Sequence, residues 1–172
     1  MLYDAEVAAA LNQAGRYYSV TPDAALVHAI IQRETSHAPY SSQGTLEPNG
    51  HRSYGPMQVE DSTAAMHGVS DPTTLNIASV GIRIGTFELS RLLSLYPSDT
   101  ERAVAAYNAG PGNAVRSSDT GDFPNQSYVD AVMNFWNQYS SGVAVAAGPA
   151  LGVIAFLVIG LLLVTRRRQR FA

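Results

Sequence analysis

The chain has 172 residues, 18.4 kDa, a formal charge of -3 and no cysteine. That size suits one ordinary globular domain with an appendage rather than two catalytic domains, and the missing cysteines exclude a disulfide scaffold, a thiol nucleophile and a thiolate metal site. Residues 1–141 hold seven arginines against all fourteen acids, a balance of -7, while the last seven residues add four arginines, so the main domain is a poor nucleic-acid binder.

A first helix is expected over Asp4 to Ala14, with Gly15 as its stop. Thr21 as N-cap, Pro22 at the first helical position and Asp23 in the first turn predict a second helix running to about Thr35. Its apolar positions Leu26, Val27, Ile30 and Ile31 recur at three- and four-residue spacing, and Glu34 continues that face. A carboxylate is thereby expected on a buried stripe. Residues 36–54 are rich in Ser, Gly, Pro, Asn and His and read as a long loop or small irregular hairpin. Helical pattern returns after Val59 for two short turns. After Asp71-Pro72, the residues Leu75, Ile77, Val80, Ile84, Phe87, Leu92 and Leu95 predict one long helix ending before Pro97. Asp99 caps the next, with Val104 and Tyr107 on one face and Gly110-Pro111-Gly112 ending it, and Asn125 caps a last helix carrying Tyr128, Val129, Val132, Met133 and Trp136.

From Gly142 to Thr165 the sequence runs for 24 residues without an ionisable side chain and then meets Arg166, Arg167, Arg168 and Arg170. At roughly 1.5 Å per residue this run spans the ~30 Å apolar core of a bilayer. It reads as a C-terminal transmembrane helix with a basic tail, and Gly148 and Gly152 have the spacing of a helix-packing pair. Asp4 and Glu6 in the first six residues, with no basic-then-apolar pattern, argue against a secretory signal peptide.

Four stretches occur in order: Ala25-Leu26-Val27-His28-Ala29-Ile30-Ile31-Gln32-Arg33-Glu34-Thr35-Ser36, then Ser53-Tyr54-Gly55-Pro56-Met57-Gln58-Val59, then Ala105-Ala106-Tyr107-Asn108-Ala109-Gly110-Pro111-Gly112, and Ser127-Tyr128-Val129. Together, over roughly Ala24 to Tyr139, they resemble the lytic transglycosylases that cleave bacterial peptidoglycan, whose fold is similar to goose-type lysozyme. Thr35 stands where that family usually has Ser, and Pro56 where Leu is usual; one keeps the hydroxyl and the other the apolar bulk. The resemblance implies a mainly α, lysozyme-like fold with little sheet and cleavage of the β-1,4 bond between N-acetylmuramic acid and N-acetylglucosamine to a 1,6-anhydro product. It further implies Glu34 as the catalytic acid, Tyr128 orienting it, and Met57, Gln58, Tyr107 and Asn108 lining a saccharide cleft.

The residues allow the same chemistry on their own terms. A glycosidic oxygen leaves poorly unless protonated, and a carboxylic acid suits that task when burial raises its pKa. Glu34 beside Leu26, Ile30 and Met57 meets the requirement, the alternative being an exposed helix-end glutamate or a partner of Arg33 or Arg52. A water-using glycosidase needs a second carboxylate, for which Glu47 is the best candidate, ahead of Glu60 and Asp61. That hydrolase and a non-catalytic, membrane-anchored peptidoglycan-binding or virion-assembly protein are the two alternatives. His28, His37, His51 and His67 show no His-x-x-x-His pair, so neither a metal nor another cofactor is expected.

The expected organisation is an N-terminal helical extension (1–20), a catalytic domain (21–141), a transmembrane helix (142–165) and a basic tail (166–172). The expected partners are peptidoglycan glycan strands, a lipid bilayer through residues 142–165 and other virion or envelope proteins, with no specific nucleic acid. The location that fits is a bacteriophage virion membrane or a bacterial inner membrane, with the domain facing the wall.

Overall fold

The computed structural model describes residues 1–37, 40 and 42–142. The apolar run, apart from Gly142, and the basic tail lie outside the described residues, as do Gly148 and Gly152. Among the described residues no helix is long and apolar enough to cross a membrane.

Among the described residues six α-helices carry the fold: α1 Asp4–Ala14, α2 Ala24–Thr35, α3 Asp61–Met66, α4 Ala78–Leu95, α5 Thr100–Ala109 and α6 Gln126–Ser140. Three short strands, β1 Thr45–Leu46, β2 Arg52–Tyr54 and β3 Val59–Glu60, form an antiparallel sheet in the order β1-β2-β3. Its register pairs Thr45 with Ser53 and Tyr54 with Val59. The region expected to be loop or irregular hairpin is thus a hairpin whose second strand turns back through Gly55 into a third.

Helix α2 lies at the centre. Val27, Ala29, Ile30 and Ile31 are completely buried, because α6 packs along one side and α1 touches another. Its N-cap is Asp23, whose carboxylate accepts from the Leu26 N–H at 2.8 Å, not Thr21 as expected. Both residues are good caps, but only a cap at Asp23 lets the same carboxylate also accept the Trp136 indole N–H from α6, at 3.0 Å. The α2–α6 contact is fixed at that end. The N-terminal helix, expected as an extension, packs on α4 and contributes Val7, Ala10 and Ala14 to the shared core.

The long helix expected from Leu75 is interrupted. Residues Pro72–Asn76 form a 3₁₀ turn and α4 starts only at Ala78. The break brings the Leu75 carbonyl against two glycines: a Cβ on Gly55 would lie 2.1 Å from that oxygen and one on Gly81 2.3 Å from it. Gly55 also has φ +75, a left-handed turn open to glycine without penalty. One turn further on α4, a Cβ on Gly85 would meet Met57 Sδ at 2.6 Å and the Tyr107 hydroxyl at 2.9 Å. Small residues on α4 therefore let the 55–57 turn and α5 approach the helix closely, which brings the second and third sequence motifs together.

Candidate active site

Glu34 stands in the last turn of α2, half-buried at the end of a helix whose other faces are core. Its Oε1 accepts the Tyr128 hydroxyl at 2.6 Å, a contact across the α2–α6 interface. Burial is the dominant influence and raises the Glu34 carboxyl to about 7, while the Tyr128 hydroxyl and the Arg33 charge pull it down and Glu47 pushes it up. Near neutrality the group is both an available acid and, once discharged, an available base. Arg33 is exposed, with its guanidinium 5.1 Å from the Tyr128 ring centre. Arg52 donates to the Gln43 and Gly44 carbonyls. Neither arginine forms an ion pair with Glu34 among the described residues.

Thr35 explains how the helix end is held. Its hydroxyl lies 3.1 Å from the carbonyls of Ile31 and of Pro56, tying α2 to the turn of the second motif. The departure from Ser noted above keeps this link, since only the hydroxyl is used. The Tyr107 hydroxyl in turn donates to the Met57 carbonyl at 3.0 Å. Burial, reinforced by the charges of Glu34 and Glu88, pushes the Tyr107 phenol well above its ordinary value, so it remains a neutral donor.

A cleft of about 930 Å³ opens beside Glu34, bounded by the hairpin residues Thr45, Glu47 and Asn49, by Gln58 and Glu60, by Glu88 and Arg91 of α4, and by 106–111 at the end of α5. Glu34, Gln58, Tyr107 and Asn108 are brought to it. Gln58, at φ +44, donates its amide N–H to the Gly55 carbonyl at 2.8 Å and accepts from the Thr45 hydroxyl at 2.8 Å, so it clasps the hairpin to the turn. Asn108 is exposed and accepts from Asn125 at 2.9 Å. Tyr128 reaches the site through its hydroxyl from a buried ring. Met57 is the correction: expected at the cleft, it is fully buried against Gly85, and what it offers is its carbonyl. A flexible thioether fills the gap that glycine leaves, which is a packing role.

Of the remaining carboxylates, Glu47 lines the same cleft as Glu34, as the second-carboxylate expectation required. Glu60 accepts from Asn49 at 2.9 Å and Ser62 at 2.5 Å, and Asp61 pairs with His51 at 2.6 Å. Ligand atoms of His51, Glu60 and Asp61 lie within 4.8 Å of one another, a grouping that histidine spacing alone did not reveal. Each already has a hydrogen-bond partner. Sequence reasoning also missed Glu88 and Arg91, whose three-residue spacing on a predicted helix was the available signal.

Comparison with known proteins agrees with this geometry. Residues 10–128 match the family model described as the transglycosylase SLT domain. Among solved structures, the lytic transglycosylase Slt from Pseudomonas aeruginosa, crystallised as an inactive glutamate-to-glutamine mutant, superposes with a TM-score of 0.59 at 19% identity. The match covers 87% of this chain and 26% of that one, so the chain corresponds to about a quarter of the larger protein. With the model spanning more than two thirds of the sequence, from α1 to the tyrosine that holds Glu34, the chain belongs to the transglycosylase SLT domain family and has its mainly helical, lysozyme-like fold.

Proposed function

We propose that the chain is a peptidoglycan lytic transglycosylase in which Glu34 acts first as acid and then as base. The observation that carries this reading is a half-buried glutamate, raised to about 7, at the wall of a cleft large enough for several sugar rings. The Tyr128 hydroxyl occupies Oε1, which leaves Oε2 to carry the transferable proton. Glu34 gives that proton to the leaving oxygen as the C1–O4 bond breaks. The resulting carboxylate takes the proton of the muramic acid C6 hydroxyl, whose oxygen closes on C1. Acid is regenerated, no water is consumed and a 1,6-anhydro ring results. That Slt of Pseudomonas aeruginosa is inactive when one glutamate is exchanged for glutamine supports an essential glutamate for this chain too.

Glu47 favours a second reading, because a second carboxylate in the cleft is what a water-using glycosidase needs. Mass spectrometry of digested peptidoglycan separates the two: the transglycosylase gives muropeptides lighter than lysozyme products by one water, ~18 Da. Reducing ends throughout, abolished by Glu47→Gln, would establish the hydrolase. A non-catalytic binding role would leave function unchanged in Glu34→Gln.

We further propose that residues 142–165 anchor the domain in a bilayer, in a bacteriophage virion or at the bacterial inner membrane, for local wall opening. The uncharged run and the four following arginines support this. A chain ending at Ser141 should be soluble and lytic; insolubility or inactivity, with the full chain active in detergent, would overturn the two-part organisation.

A further inference from the structure

The α4 wall of the cleft carries a charged network that bond cleavage does not use. Glu88 is only 7% exposed. Arg91, on the same face of the helix, donates from Nε to Glu88 Oε2 at 2.8 Å and from Nη2 to Oε1 at 2.7 Å, and His67, just after α3, lies 3.0 Å from Oε2. Desolvating an ion pair is costly, and apolar residues of similar volume would serve packing as well. What the network achieves is a guanidinium fixed in the cleft wall.

Arg91 spends only one edge on this seat. The bonds to Glu88 use Nε and Nη2, so the end-on edge formed by Nη1 and the second Nη2 N–H has no partner among the described residues, and the side chain remains 35% exposed. Two parallel N–H groups in one plane match a carboxylate. The surrounding charges narrow the choice of ligand. Arg91 is the one cation among the described cleft-lining residues, whereas Glu34, Glu47 and Glu60 are all acids. An anionic substituent is repelled from the wall that carries Glu47 and Glu60, and finds its hydrogen-bond donors on α4. Glu34, Tyr107, Glu88 and Arg91 all line this one cleft.

We propose that Arg91, seated on Glu88 and His67, binds a carboxylate of the peptide substituent on the glycan strand and so selects peptide-bearing peptidoglycan over bare glycan. This rests on the reading of the chain as a peptidoglycan-cleaving enzyme.

The test compares kcat/KM of the full chain on peptide-bearing strands and on strands stripped of peptide by an amidase. The wild type should prefer the peptide-bearing strands by about tenfold, the value of a charge-assisted pair. Arg91→Met should erase that preference through KM, and Arg91→Lys should restore only part of it, because the ammonium lacks the planar edge. Since Arg91→Met leaves Glu88 buried without its cation, the double variant Arg91→Met with Glu88→Gln provides the same comparison in a chain that carries neither charge. An unchanged ratio in Arg91→Met and in the double variant, or a wild type without preference, overturns the proposal while leaving peptidoglycan cleavage standing. A wild type that cleaves neither substrate overturns both.

Discussion

Glu34 and Glu88 line the same cleft, and both carry a desolvation penalty, yet their carboxyls sit at opposite extremes. Glu34 has one hydroxyl donor and rises to about 7. Glu88 is pushed up by burial as well, but the bonds from Arg91 and His67 more than reverse it and hold it at about 2. Burial sets the penalty; the number and charge of the donors decide whether the group escapes it by binding a proton or by finding partners. Only the first kind can lend a proton at neutral pH. On the proposed reading, this difference suits Glu34 to the proton transfer and Glu88 to seating Arg91.

The largest effect that breaks this comparison is at Glu34. Glu34→Gln keeps the size and removes the proton, and wall cleavage should fall at least the ~10²-fold typical of a lost general acid, with the helical spectrum intact. Wild-type activity should decline as pH rises through about 7, where the acid is lost. Stability changes in the same direction. A carboxyl whose folded value exceeds its unfolded one contributes stability that is fully present below about 4.5 and is lost as pH rises through about 7, at most about 3 kcal/mol here. Denaturant melts at pH 5 and pH 8 should show this loss in the wild type and not in Glu34→Gln. Retained cleavage in the variant would sink the assignment.

Glu88 gives the opposite sign. Its folded value lies below the unfolded one, so its contribution is present above the ordinary carboxylate range and disappears as pH falls towards about 2. Glu88→Gln should cost about 2 kcal/mol at neutral pH, because Arg91 and His67 lose the charge they were arranged around. The gap to the wild type should narrow on acidification. Urea midpoints across pH 2–7 measure it, and a gap independent of pH would mean that the loss is one of packing.

The two carboxylates were unequally legible in the sequence. Glu34 stood out because an acidic residue continued an apolar helical stripe and because its motif is shared with a family; periodicity alone predicted its burial. The resemblance placed Tyr128 at Glu34, where its hydroxyl lies, while the bond from Tyr107 to the Met57 carbonyl is visible only in the fold. Glu88 and Arg91 were hidden: on a helix read for its apolar face, an i,i+3 ion pair looks like solvated surface until tertiary contacts show that face turned into a cleft. Met57 failed in the other direction. A motif residue was expected at the cleft, but the space above Gly85 exists only once α4 has packed, and Met57 fills it. The choice of Asp23 over Thr21 as cap has the same origin, for the deciding partner, Trp136, lies 113 residues away.

A smaller effect sharpens the role of the tyrosine. Its hydroxyl holds Glu34 in place and, as a donor to the ionised form, draws the pKa down. Tyr128→Phe should therefore lower cleavage about tenfold, the order of one hydrogen bond to a charged group, and move the alkaline limb of the pH profile upwards. A lower rate with an unmoved limb would reduce Tyr128 to a packing residue.

The smallest effect is at Glu47, and it bears on the reaction itself. Glu47 acts on Glu34 only through its charge, the least of the four influences on that carboxyl, and raises it. Glu47→Gln removes one negative charge from the hairpin wall without touching the bond from Tyr128 or the burial of Glu34. The alkaline limb should move down by less than about one pH unit, since two charges facing across a wet cleft interact weakly. The rate at the optimum should change by less than about threefold if C6–OH is the nucleophile, because the transglycosylase reaction asks nothing of a second carboxylate. A general base or nucleophile would behave otherwise: losing it costs ~10²-fold or more, and the pH profile loses its acid limb as well. The pH profile of Glu47→Gln thus distinguishes a carboxylate that tunes Glu34 from one that takes part in bond making.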